Sequence, residues 1–291
     1  MKKYKVMWKL LNQITIKSDN HQMVLGYKAI IAGMFYIFLG LSPSISMGHT
    51  IVENKNETGF KLLSYHNKNL FSPDSLPGTP QKETAQGWEI LFDGKNTDKW
   101  RSKNSETFPS DGWIIKDGSL FLNKKGAGDI ITREKFSNFE LDLDFNLTYG
   151  ANSGVKYFAG ELKNSKTGDV VINGPEYQII DDYNHPEVKN HKHDIAATAS
   201  CYLLYTPKNV HLRPAGQWNH IRIIAKGKHV EHWLNGVKVL SYERGSADFL
   251  KRKSATKFKD YDNYGELPSG YILLTDHSDK VYFRNIKIKR L

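Results

Sequence analysis

The residues best equipped for proton transfer in this 291-residue chain crowd into one segment, GPEYQIIDDYNHPE at 174–187. Glu176, Asp181, Asp182 and His185 can take up and return protons there, and an imidazole with an ordinary pKa near neutrality suits shuttling. If 176–180 is extended, Glu176, Gln178 and Ile180 share one face of the strand, while Tyr177 and Ile179 occupy the other. The alternative is structural: Asp181 and Asp182 as turn formers, and His185 as the residue before Pro186. Lys156, with Val155 and Tyr157 on the opposite strand face, is a cation for a developing negative charge or one half of an ion pair with Glu176, worth roughly 0–1 kcal/mol at a surface. Asp276 and His277 close the run GYILLTDH and can reach the same face. Tyr202 and Tyr205 flank Leu203 and Leu204, and their rings serve either ligand stacking or the core.

A metal has one conceivable home, the cluster His185, His191, His193 and Asp194, where it would act as a Lewis acid. The spacing H-x5-H-x-H-D matches no zinc or calcium pattern, so this stretch reads as a solvated loop and no cofactor is expected. Nucleotide-binding glycine loops, G-x-S-x-G and H-E-x-x-H are all absent from the sequence. The single cysteine, Cys201, excludes an internal disulfide and any multi-cysteine metal site. Within an apolar run it reads as a buried thiol rather than a nucleophile.

The elements that must position these residues are strands. From residue 88 onward, short runs of β-branched and aromatic residues alternate with Gly, Asn, Asp or Pro every eight to twelve positions, which predicts an all-β sandwich or barrel. Predicted strands cover 89–92, 113–116, 119–122, 129–132, 139–147, 154–158, 176–180, 199–205, 218–226, 229–234, 237–242, 270–276 and 281–289. In 139–147 the odd positions are apolar and the even ones polar, so one face is in the core and the other wet. Asn235-Gly236 between two alternating runs predicts a two-residue hairpin turn, and Asp93-Gly94 and Asp117-Gly118 further turns. Asn285 interrupts the period of the last strand and predicts a bulge. Trp113, Trp218 and Trp233 are expected to pack the sandwich, and 246–260 to form a polar loop or short helix.

Residues 1–46 hold six lysines against one acid, so they supply +5 of the net charge of +10. The remaining +5 spread over 245 residues, without basic runs interleaved with aromatics, gives no basis for a nucleic-acid partner. The apolar run 29–41 after the lysines, followed by small residues, predicts a secretory signal cleaved after Ser46, or alternatively an uncleaved anchor. The expected organisation is a signal at 1–46, a Pro- and Asn-punctuated leader at 47–87 and a β-domain at 88–291. The protein is therefore expected to be exported, periplasmic or extracellular, with membrane contact only through the amino-terminal segment.

Six segments in order, GWEILFDGKNTDKW (87–100), W-x-x-KDGSL (113–120), FELDLDFNLTYGANSGVKYF (139–158), GPEYQIIDDYNHPE (174–187), GQWNHIRIIAKGKHVEHWLNGVKV (216–239) and DHSDKVYFRNIKIKRL (276–291), resemble the secreted 3-keto-disaccharide hydrolase domain family. The resemblance implies a concanavalin A-like jelly-roll sandwich of two antiparallel sheets with a curved face. It also implies cleavage of glycosides, such as disaccharides, already oxidised at C3 by a separate oxidoreductase. The ketone acidifies the C2 proton, a base removes it, the C1 oxygen leaves by β-elimination and water adds back. Such a route asks for a base, an acid and a cation near the ketone oxygen, rather than the paired carboxylates of ordinary glycosidases. On that resemblance Glu176 and His185 become the acid/base pair and Lys156 the carbonyl-side cation. Gln178, Asp181, Asp182 and His277, with Asp276, Tyr202 and Tyr205, become substrate contacts. An arginine is common in the family near Lys156, whereas Phe158 and Ala159 stand here. Because sandwiches also serve as carbohydrate-binding modules without chemistry, fold alone does not decide function.

Overall fold

Among the described residues, alternating apolar and polar positions lay the chain down as fourteen strands and one short helix. The structure, a computed structural model, describes residues 84, 86–190 and 194–291. The segment 1–46, nearly all of 47–87, and His191 and His193 lie outside the described residues. In chain order the elements are β1 (Trp88–Phe92), β2 (Trp100–Ser102), β3 (Trp113–Lys116), β4 (Ser119–Leu122), β5 (Ile130–Thr132), β6 (Phe139–Leu147) and β7 (Asn152–Lys163). There follow β8 (Val170–Asn173), β9 (Glu176–Ile180), β10 (Asn219–Lys226), β11 (His229–Leu234), β12 (Val237–Glu243), α1 (Ala247–Ser254), β13 (Tyr271–Leu274) and β14 (Val281–Arg290).

These strands form the expected all-β jelly-roll sandwich of two antiparallel sheets. One is eight-stranded, in the order β12-β11-β10-β6-β14-β4-β3 with β1 beside β14, and the other six-stranded, β2-β5-β13-β7-β8 with β9 also paired to β7. The period of two explains how the core forms between them. Phe139, Leu141, Leu143, Phe145 and Leu147 of β6 join Ile221 and Ile223 of β10 and Phe283 and Ile288 of β14 from one side, and Val155, Tyr157, Tyr177 and Ile179 of β7 and β9 meet them from the other. Asn235 (φ 48°) and Gly236 (φ 82°) turn the β11–β12 hairpin in the left-handed region that Asn and Gly tolerate. The bulge in β14 falls between Arg284 and Lys287, with Asn285 at φ 53°.

Three local expectations are corrected. Residues 199–205 form no strand, because Ala199 (φ 71°) and Leu203 (φ 61°) take left-handed conformations and fold the run into a tight turn closed by Cys201 N–H on the Tyr205 carbonyl (3.1 Å). Trp218 and Trp233 do not enter the core. They lie half-buried on the outer face, with the Arg284 guanidinium 3.9 Å from the Trp218 ring centre and the Trp233 indole N–H donating to Glu231 (2.8 Å). Trp113 is buried as expected, together with Trp100. Strands β2 and β8 went unpredicted, since three or four residues at a sheet margin leave too little alternation to detect. Helix α1, capped by the Ser246 side chain on Phe249 N–H, occupies part of 246–260. No helix among the described residues is long and apolar enough to cross a membrane.

Candidate active site

The face of the six-stranded sheet turned away from the core carries a cleft of about 130 Å³. Register brings its floor together: β7 and β9 pair antiparallel, with Lys156 opposite Glu176, Gly154 opposite Gln178 and Asn152 opposite Ile180. Since Val155, Tyr157, Tyr177 and Ile179 point into the core, Asn152, Lys156, Glu176 and Gln178 point into the cleft. His277, just beyond β13, and Asn173, at the end of β8, close two sides. Tyr202, Lys257 and Phe258 form the rest of the wall, with the Lys257 ammonium 4.8 Å from the Tyr202 ring centre.

Glu176 is the centre of charge. The residue is 4% exposed; Oε2 lies 3.8 Å from Lys156 Nζ and Oε1 lies 3.8 Å from His277 Nε2. Neither contact is a close hydrogen-bonded pair. Lys156 spends its short hydrogen bond on Asn173 Oδ1 (3.0 Å). Glu176 Oε1, Gln178 Oε1 and Asn152 Oδ1 are buried acceptors without a hydrogen-bond partner among the described residues. A buried acceptor left unsatisfied costs about 1–3 kcal/mol, so three on one cleft mark a place where donors such as sugar hydroxyls are needed. The Glu176 carboxylate raises the pKa of His277 above the ordinary imidazole value, while burial and Lys156 oppose it. Gly154 makes the arrangement possible, because a Cβ at that position would overlap Glu176 Oε1.

The outer edge of β9 is held by the turn that replaces the expected strand. Ala199 N–H donates to the Gln178 carbonyl (2.9 Å), Gln178 N–H to the Ser200 carbonyl (3.2 Å) and Tyr202 N–H to the Glu176 carbonyl (3.0 Å). Behind β9, buried His232 donates from Nδ1 to the Ala199 carbonyl (2.9 Å) and accepts at Nε2 from the Tyr157 hydroxyl (2.7 Å), which in turn accepts from Tyr242 (2.6 Å). Burial pushes the His232 pKa down to about 4, so this ring is neutral and structural.

The structure thus brings Glu176, Gln178, Lys156, His277 and Tyr202 together and leaves other candidates apart. Asp181 caps the turn after β9, accepting from Gly150 N–H (2.8 Å), Tyr183 N–H (3.1 Å) and Asn184 Nδ2 (2.8 Å). Asp182 accepts from Thr198 N–H (2.9 Å). His185 follows in the same turn, outside the cleft lining, with Nδ1 accepting from Glu187 N–H (3.2 Å). Asp276 accepts from Gly128 N–H (2.7 Å) and Ser278 N–H (2.6 Å) and so positions His277 without lining the cleft. Tyr205 stacks on Tyr242 (4.8 Å between ring centres) and donates to Asp248 (2.8 Å). Cys201 is fully buried, with its thiol pushed up to about 12 by burial. No group of three or more His, Cys, Asp or Glu suited to a metal occurs among the described residues. Sequence reasoning missed Asn152, Asn173, Lys257 and Phe258. The alternation of β7 contained the signal for Asn152, two and four residues before Gly154 and Lys156 on one face.

A jelly-roll sandwich thus holds a carboxylate, an imidazole, an ammonium group and unpartnered acceptors in one sheet-face cleft, the groups that proton transfer to and from a polar ligand requires. The chain belongs to the 3-keto-alpha-glucoside-1,2-lyase-like domain family, which it matches over residues 87–289. It is 34% identical over 232 residues, 71% of this chain and 79% of the relative, to a 3-keto-disaccharide hydrolase of Bacteroides thetaiotaomicron. Two solved structures from Parabacteroides distasonis, provisionally named glycosyl hydrolases, resemble it as well. One is 33% identical with a TM-score of 0.64, covering 74% of this chain and 99% of that one, and the other 28% identical with a TM-score of 0.52, covering 70% and 99%.

Proposed function

We propose that this protein, a glycoside-cleaving enzyme of that family, acts on glycosides bearing a ketone at C3 and releases the C1 substituent by β-elimination followed by hydration. The observation that carries the reading is the buried Glu176 carboxylate, set 3.8 Å from both Lys156 and His277 with Oε1 unpartnered and facing the cleft. Glu176 Oε1 takes the proton from C2, and the electron pair passes into the C2–C3 bond as the ketone becomes an enolate. The Lys156 ammonium faces the negative charge on that oxygen, an electrostatic contribution that grows as the charge develops. Collapse of the enolate restores the ketone, forms a C1–C2 double bond and breaks the C1–O bond. The departing oxygen receives its proton from His277, which its raised pKa keeps charged to higher pH. Water then adds at C1, His277 recovers a proton from it and protonated Glu176 returns one to C2, so both residues end as they began. The role given to His185 from the sequence passes to His277, because His277 lines the cleft and His185 does not.

The substrate requires a separate oxidoreductase to install the ketone, and the apolar run 29–41 after six lysines supports encounter with it in the periplasm or outside the cell. The test is a matched pair, a glucoside and its 3-keto derivative, with leaving-group release and transient enone absorbance followed together. Release from the keto compound alone, with the enone appearing first, supports the reading. Equal release from both would replace it with ordinary glycoside hydrolysis.

A further inference from the structure

A second and larger cavity, about 350 Å³, opens on the same sheet and has no part in the chemistry above. It is on the same face: Leu273 pairs with Lys156 and packs with Ile131 and Ala159 outside the main core, and this apolar strip is covered by Ile172 and Tyr271, which line the cavity. The two cavities lie next to each other along β7 and β8. Gly160 lines the second and Asn173 the first, and the two are cross-strand partners in β7 and β8. Directly opposed residues in an antiparallel pair lie about 5 Å apart, so the two cavities are neighbours on the sheet.

The lining suits a pyranose. Tyr271 and Ile172 offer apolar surface to the C–H face of a ring, while Arg101 and Lys135 supply donors, Glu161 an acceptor and Ser269 either. Both cations are held near the aromatic ring, with the Arg101 guanidinium 5.4 Å and the Lys135 ammonium 5.0 Å from the Tyr271 ring centre. Glu161 is exposed and free to turn toward a ligand hydroxyl.

We propose that this cavity is the leaving-group subsite and takes the second, unoxidised sugar of a disaccharide whose oxidised ring sits over Glu176. The inference rests on the function proposed above for its substrate class, and its test uses binding so that the two stand or fall separately. An unoxidised α-linked glucose disaccharide and methyl α-glucoside are titrated into the wild type and into Tyr271→Ala and Lys135→Gln by calorimetry. The wild type is expected to bind the disaccharide at least tenfold more tightly than the methyl glucoside. Tyr271→Ala should abolish that advantage and Lys135→Gln, an exposed change that leaves packing alone, should reduce it about threefold, with methyl glucoside affinity unchanged in both. Equal affinity of the wild type for the two ligands, or an advantage that survives in both variants, overturns the subsite. Turnover of the 3-keto disaccharide then reads the function independently: failure to cleave it, with the binding advantage intact, faults the chemistry, not the cavity.

Discussion

The two sheets expose opposite ways of handling charge. On the outer face of the eight-stranded sheet every member of a six-residue ladder is closely paired. His220 contacts Asp142 (2.5 Å) and Asp144 (2.9 Å), Arg222 contacts Glu140 (3.0 Å) and Asp142 (3.0 Å), and Arg284 contacts Asp144 (3.1 Å). On the open face of the six-stranded sheet, the Glu176, Lys156 and His277 charges stand 3.8 Å apart and three buried acceptors lack partners. Both clusters combine carboxylate, histidine and cation, so residue type does not separate them. What separates them is distance: the ladder's charges pair within 3.1 Å and serve the fold, whereas those of the cleft stand 3.8 Å apart around acceptors that face open space.

This difference is breakable at either end. The largest effect is expected from Glu176→Gln, which keeps the shape but removes the base: turnover of a 3-keto glycoside should fall at least about a thousandfold with the melting temperature held, since proton abstraction at C2 loses its acceptor. Asp142→Ala should do the reverse. It removes the buried partner of His220 and Arg222, which keep Asp144 and Glu140, and is expected to cost about 1 kcal/mol in denaturant unfolding while kcat/KM stays within twofold. Gly154→Ala sits between the two, because the added Cβ meets Glu176 Oε1 and must displace it. A misplacement of about 1 Å predicts a loss near a hundredfold in turnover, measurable beside a modest shift in melting temperature.

Titration gives the smallest and most diagnostic contrast. Burial holds the His232 pKa near 4, below the ordinary value of 6.5, so its contribution to stability is complete above pH 6.5 and is lost as pH falls toward 4. His220, raised to about 9 chiefly by Asp142 and Asp144 against the opposing effect of burial, contributes fully below pH 6.5, and that contribution disappears as pH rises through 9. Chemical denaturation across pH should therefore show an acid limb removed in a His232→Gln variant and an alkaline limb removed in His220→Gln. Activity should follow a different group: with His277 as proton donor, kcat should fall as pH rises through its raised pKa, and His277→Gln should flatten that limb.

Much of the frame was legible because period-two patterning is long and unambiguous in β6 and β10, and Asn235-Gly236 marks the turn of one hairpin without tertiary help. The same alternation places Glu176 and Gln178 on one face and Lys156 on the matching face of β7. Beyond the strands legibility fails for physical reasons. The run 199–205 looks extended until two left-handed residues fold it over β9, and nothing local in CYLLY announces that. His185 and His277 are equally plausible in sequence, and only the path of the chain after β9 and β13 separates one from the cleft and brings the other in. Lys257 and Phe258 come from a loop more than fifty residues from any other cleft residue before them in sequence, so no spacing rule could have found them.

The most direct measurement is the fate of the C2 hydrogen. A 3-keto glycoside carrying deuterium at C2 is cleaved in ordinary water, and the released 3-keto sugar is sampled at early times against an enzyme-free control. Elimination and hydration at Glu176 predict that cleavage is slowed by the heavier isotope and that deuterium at C2 is lost to solvent to the extent that protonated Glu176 exchanges before it returns its proton to C2. Full retention of deuterium at C2 in the released sugar, with no isotope effect on the rate, would contradict it.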